Sequence, residues 1–297
     1  MDFVRALAII AGMDTHTLSP SERAVPPMSR TVGDLLREWR QRRRMSHLLL
    51  ASEADVSTRH LSFVESGRAT PSREMIMHLA ERLDVPLRAR NALLIAAGYA
   101  PLFRERPLSD PQLGAAREAV ERVLKGHEPY PAVAVDRHWT IVAANGALAP
   151  LVASASPAQL APPVNALRLS LHPDGIASSI LNWHAWRAHL LARLQRQVDV
   201  SGDATLAALH DELAGYPSPS GATAAAQDAG PAEAAPLDQI AVPLRLNTPH
   251  GVLSFFSTTT VFGTPVDVTL SELAIEAFFP ADSQTADTLR ALAPDRP

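Results

Sequence analysis

Apolar residues recur along this chain at two different periods. Leu48-Leu49-Leu50-Ala51 reads as a short helix, and Val56, Leu61 and Val64 fall at spacings that place them on one buried face of a second. Leu113, Ala116, Val120, Val123 and Leu124 share a face of a helix from about Gln112 to Lys125. Beyond Pro131 the apolar runs shorten to strand length. Pro131 to Val135 and Trp139 to Ala143 surround Asp136-Arg137-His138 as a hairpin would, and residues 240–247 and 251–261 flank a Thr-Pro-His-Gly turn as a second hairpin. Leu273, Ile275, Ala277 and Phe279 alternate with Glu272, Ala274, Glu276 and Phe278, which makes a fifth strand. Helical stretches, Ser178 to Val198 and Thr205 to Ala214, lie between the hairpins. The predicted class is α+β: an all-α bundle, then a five-stranded antiparallel sheet with helices inserted after its second strand. Such a sheet buries a face against its helices, and the space between them suits a small apolar ligand.

The local chemistry of residues 48–74 makes the helical part specific. Ala51 is small enough to let the next helix cross close to its backbone. Asp55 stands where the connecting turn needs a left-handed residue, a conformation Asp tolerates. Ser57 suits an N-cap, Gly67 a left-handed C-cap, and Ser72 the cap of a following helix with Glu74 in its first turn. The pattern predicts a helix-turn-helix of the kind that binds DNA. With Leu61 and Val64 inward, Thr58 and Arg59 lie in the outward first turn and Phe63 one turn on, where a helix in the major groove meets base edges. Arg59 can fork onto guanine O6 and N7, Thr58 can donate, accept or offer its methyl, and Phe63 can touch a thymine methyl. The spacing leaves His60 facing either DNA or the neighbouring helix. Arg68, just past Gly67, can reach a phosphate.

Charge follows the same division. Residues 28–100 hold twelve Arg against eight Asp and Glu, about +4, while residues 101–297 hold thirteen Lys and Arg against twenty acids, about −7. Arg40, Arg42, Arg43 and Arg44 cluster at the end of the first helix, either as a solvated face that favours the helix dipole or as a phosphate clamp. A charge of +4 gives one copy weak nonspecific affinity, so a homodimer on a near-palindromic double-stranded operator is expected. The 297 residues, 46% hydrophobic, are enough for two cores. The absence of cysteine excludes disulfides, thiolate zinc sites and a cysteine nucleophile and is compatible with a reducing cytoplasm, the expected location. Leu7 to Met13 is too short to span a membrane. Residues 1–27 show no packing signal, and Met28 is an alternative natural start; residues 217–236 are small, Pro-rich and aperiodic, as a flexible loop would be. An enzyme is not expected: His184 and His189 are five apart and not on one helical face, no phosphate loop or Gly-x-Ser-x-Gly elbow occurs, and spacing does not join Ser179, His172 and Asp174. No metal and no cofactor are expected.

The strings GDLLREWRQRRRMS, ADVSTRHLSFVESGR, PSREMIMHLAERLDVP and RNALLIAAGYAP together resemble the Xre-type repressor domain of the MmyB-like regulators. EPYPAVAVDRHWTIVAANGA, NALRLSLHPDGI, NWHAWRAHLLARL and VLSFFSTTTVFGTPVDVTLSELAIEAFFP resemble that family's PAS-like ligand-binding domain. The resemblance covers nearly all of residues 31–290. It implies a DNA-binding domain over 28–106 and a ligand-binding domain over 107–297, sensing a small amphipathic molecule such as a fatty acid. Where the family commonly carries Gln for a phosphate, this chain has His47, and Leu49 stands where a polar residue is common. Arg43 and Arg44 complete the expected phosphate set. For an acidic ligand, Arg168 or Arg187 would grip the carboxylate, Asn145 or Asn182 would add a hydrogen bond, and His172, Trp183 and Trp186 would complete the walls. The same residues can instead be core or surface, and Phe255, Phe256, Phe262 and Phe278 read as core. A C-terminal domain that binds a protein partner is the alternative.

Overall fold

The computed structural model describes residues 30–219, 242–263 and 267–293. The predicted N-terminal extension and most of the predicted loop at 217–236 lie outside the described residues. The chain divides into two units.

The first contains α1 (Val32–Arg42), α2 (His47–Glu53), α3 (Thr58–Glu65), α4 (Arg73–Arg82) and α5 (Leu87–Ala96). Hydroxyls of Thr31, Ser46, Ser57 and Ser72 cap the first four, each accepting from the amide three residues on. All five helices stop alike. The residue after each C-cap is left-handed: Arg44, Asp55, Gly67, Asp84 and Gly98. The next amide then reaches back over the last turn, as Val56 does to the Ala51 carbonyl (2.9 Å) and Arg68 to that of Phe63 (2.8 Å). These stops fold short helices around Leu36, Leu50, Leu61, Val64, Ile76, Leu79 and Leu93, all fully buried.

Two features fix α3 against α1. A Cβ on Gly33 would lie 2.4 Å from the Val64 carbonyl oxygen and 2.8 Å from that of Glu65, so the approach is open to glycine alone. Beside it, the Glu65 carboxylate is buried at the end of α3, where the helix dipole disfavours an anion. Arg40 answers it with two bonds, Nε to Oε1 at 2.7 Å and Nη2 to Oε2 at 2.8 Å. His47 Nε2 lies 2.9 Å from Oε2, and Arg37 donates to the Glu65 carbonyl (2.7 Å).

The second unit carries α6 (Gly114–Gly126), β1 (Ala132–Val135), β2 (Ile141–Ala144), α7 (Ala166–Leu171), α8 (Trp183–Ser201), α9 (Ala204–Ala214), β3 (Leu244–Thr248) and β4 (Gly251–Val261). A short α10 (Val268–Ser271) follows, then β5 (Ala274–Pro280) and α11 (Ser283–Leu292). The sheet order is β2-β1-β5-β4-β3, antiparallel throughout, with the helices α7 to α9 inserted after β2 as expected. β1 is buried on both faces. Its small Ala132 and Ala134 pack with Val120 and Leu124 of α6, while Val133 and Val135 join the larger core with Phe255, Leu246 and Leu194. Residues 267–271, though they precede β5 in the chain, belong to the first unit: the Val268 amide donates to the Arg104 carbonyl (2.8 Å), and Asp267 pairs with Arg106.

Removing the Glu65 carboxylate leaves Arg40 buried without its partner. Glu65→Ala is expected to cost about 3 to 5 kcal/mol in chemical unfolding of the first unit. Burial raises the Glu65 pKa, but the hydrogen bonds and charge of Arg40, with His47, outweigh it and hold the pKa below its ordinary 4.5. The pair's contribution is therefore complete above about pH 4.5 and is lost as pH falls through the lower folded value. A first unit whose stability is unchanged by the substitution would show that the pair does not hold α3.

Candidate functional site

On α3 the buried positions are Leu61, Val64 and Glu65, which turns the first-turn residues Thr58 and Arg59 out to solvent. His60 is half-buried. Ser57 caps the helix by accepting from the His60 amide at 3.1 Å, leaving the α3 N-terminus ordered and exposed. Phe63 is half-buried, and its ring lies under two guanidinium groups, Arg59 at 5.3 Å and Arg68 at 5.9 Å. Phe63 was expected as a base reader. The geometry shows it carrying both arginines on its faces, by attraction between cation and ring quadrupole.

The expected phosphate contacts are dispersed. Arg68 is exposed at the Gly67 stop and Arg44 at the stop of α1. Arg43 instead donates to the Leu83 and Asp84 carbonyls, each at 2.8 Å, and stacks over Trp39. It closes the end of α4. His47 faces Glu65 and Arg40, as described above. Leu48 and Leu49, beside it at the start of α2, are 70% and 46% exposed.

In the second unit a cavity of about 90 Å³ lies between the inner face of the sheet and α7 and α8. Its walls include Val133, Ile141, Leu148, Leu190, Leu246 and the rings of Trp139, Trp186, Phe255 and Phe278. The two phenylalanines, predicted as core, are therefore also wall. Polar groups are few: Ser170, Ser257, Arg193 and Glu276. Glu276 sits on β5 between Val133 and Thr259, on the sheet's inner face, and is 4% exposed. Arg193 reaches it from α8 with two bonds, Nη1 to Oε2 at 2.9 Å and Nη2 to Oε1 at 2.6 Å. Nη2 also donates to Thr259 Oγ1 (2.8 Å), and the guanidinium lies 4.6 Å from the Trp139 ring centre.

Of the seven residues predicted to hold a ligand, Trp186 alone lines this cavity, with its Nε1 donating to Ser170 Oγ at 3.0 Å. Arg168 makes two bonds to Glu212 (2.8 and 2.7 Å) at the surface. Arg187 lies over Trp183 and donates to the Ala214 carbonyl at 2.5 Å. Asn182 ties the start of α8 to β3 through Pro243 and Arg245. Asn145 is buried and binds the Leu124, Tyr130 and Ala132 backbone, and His172 packs edge-on against Tyr216. Trp183 Nε1 and Arg187 Nε have no partner among the described residues. Sequence reasoning missed Trp139, Arg193 and Glu276. The signal was present: Trp186, Leu190 and Arg193 are spaced four and three apart, which puts an arginine on the apolar stripe of α8.

Residues 116–292 match the family model described as the MmyB-like transcription regulator ligand binding domain, and residues 36–89 match a helix-turn-helix family. No curated protein matches the chain. One solved structure, described as that of an RNA-binding light-oxygen-voltage receptor, is similar at 13% identity over 89% of this chain and 64% of its own length. Its TM-score of 0.25 is too low to bear on the fold. No helix among the described residues is long and apolar enough to cross a membrane.

Phe63→Leu keeps an apolar side chain and removes the ring face. Folding stability is expected to move by less than about 1.5 kcal/mol, while Arg59 and Arg68 each lose about 0.5 to 1 kcal/mol of restraint. Nitrogen relaxation at their Nε–H groups would then report faster motion. Unchanged relaxation would mean that the ring does not hold them.

Proposed function

We propose that this chain, which belongs to the family of MmyB-like transcription regulators, reads a specific DNA sequence through α3 and is controlled by a small amphipathic molecule held in the cavity of its second unit. It is a helix-turn-helix transcription regulator with a ligand-binding domain. One observation carries the DNA reading: α3 buries Leu61 and Val64 and turns Thr58 and Arg59 outward, with Arg59 already laid along Phe63. Pre-organised side chains lose less freedom when they bind. Arg59 takes a guanine, Thr58 a neighbouring base, and His60 remains at the edge of the contact. Arg68 and Arg44 take phosphates and set the register. Two copies bind two inverted half-sites, which offsets the modest charge of the DNA-binding part.

The apolar cavity supports a small molecule as the effector over a protein partner, because its walls are apolar rings and branched side chains enclosed by sheet and helix. Of the fatty-acid-like effector that the resemblance implies, these walls account for the apolar chain and not for the head group. At about 90 Å³ the space is below the ~300 Å³ of an ordinary ligand pocket, so an occupant of that length parts the walls as it enters. Control then works by population shift: the ligand favours whichever dimer arrangement it fits better, by no more than its difference in affinity for the two.

Selection of DNA from a random pool with the full chain is expected to recover inverted half-sites. Arg59→Ala should cost about 1 to 3 kcal/mol on the selected site and relax preference at one base position. A substituted protein with unchanged preference would remove Arg59 from base reading. Arg68→Ala should weaken all sequences alike and lower the salt dependence by about one unit; altered discrimination would make Arg68 a base reader instead.

A further inference from the structure

Among the described residues that line the cavity, Arg193 is the one cation and Glu276 the one anion. They neutralise one another. Glu276 accepts from both terminal nitrogens of Arg193, and the same guanidinium lies over the Trp139 ring. Pairing of this kind is planar, bidentate and charge-assisted, the strongest form of carboxylate recognition a side chain offers. A ligand carboxylate would have to displace Glu276, leaving that buried acid without a partner, or stand beside it as a second negative charge in an apolar wall. Both are costly beside apolar walls. An ammonium head meets the opposite difficulty, since the Glu276 charge is already answered. A neutral oxygen meets neither: Arg193 has five N–H groups and uses three in the bonds to Glu276 and Thr259. The cation that would greet an acid, Arg168 or Arg187, is held elsewhere by Glu212 or by the Ala214 carbonyl.

We infer that the effector of this cavity has an uncharged polar end, an alcohol, ester or amide on an apolar body, and that the Arg193–Glu276 pair is the element that rejects fatty acids. The inference rests on the ligand-sensing reading above. Octan-1-ol and octanoate at pH 7.5, matched in chain length, test it with the full-length protein, using fluorescence of Trp139 and Trp186 and native mass spectrometry. Octanol is expected to bind at least tenfold more tightly. Glu276→Gln should free Arg193 for the acid and shrink that ratio at least tenfold. The double substitution Arg193→Gln with Glu276→Gln, which has no buried charge to leave unpaired, should restore the preference for octanol and serves also if the single variant fails to fold. Octanoate binding as tightly as octanol to the unaltered protein, or a ratio indifferent to Glu276→Gln, would overturn the head-group assignment and leave ligand sensing standing. Binding of neither molecule would overturn ligand sensing itself, and this inference with it.

Discussion

A carboxylate at the end of α3 holds the helix-turn-helix unit in shape. Glu65 is buried where the α3 dipole is already negative, so it can persist only with a cation against it, and Arg40 of α1 supplies that cation through two hydrogen bonds. Gly33 lets α1 approach closely enough for the pair to form. The outward direction of Thr58 and Arg59 follows from this clamp, because rotating α3 would expose Leu61 and Val64 and break the pair together. The cluster also explains His47. Its ring joins the same carboxylate, which gives that position a structural partner whether or not a phosphate lies nearby.

The ligand-binding unit rests on an asymmetry within its sheet. On the outer face of β1, Ala132 and Ala134 let α6 pack close. On the inner face, Val133 and its neighbours leave room between the strands and the helices α7 and α8. Into that apolar space the sequence puts one acid and one base. A bound pair in such a place adds little to stability beyond what apolar residues would give; its value lies in choosing what may enter. In both units, then, a bidentate Arg–Glu pair sits beside the proposed contact: Arg40–Glu65 behind α3, Arg193–Glu276 in the wall of the cavity.

Much of this was legible in the sequence because it is local. Asp55 and Gly67 were predicted as left-handed stops and Ser57 and Ser72 as caps, since turn and cap chemistry is written within four residues. The first four strands follow from short apolar runs around two hairpin turns, and the fifth from alternation. The stop at Arg44 was not predicted: an arginine has no intrinsic preference for that conformation, and the chain imposes it there. The ligand residues were the least legible. Asn145, Asn182, Arg168 and Arg187 have the right chemistry for an acid, but each is bound to a backbone carbonyl or a carboxylate, and only three-dimensional proximity shows it. Arg193 and Glu276, eighty-three residues apart, were legible singly as charges on apolar faces and as a pair only in the fold.

In the proposed mechanism an occupant of the cavity changes the affinity of the protein for DNA. Affinity of the full-length protein for its selected operator, measured by fluorescence anisotropy at fixed salt with and without saturating octan-1-ol, tests it most directly. A shift of at least about fivefold in either direction is expected, the size of an ordinary coupling between two sites. Identical affinities, with octan-1-ol shown to be bound, would mean that the cavity and the reading helix belong to one chain without speaking to one another.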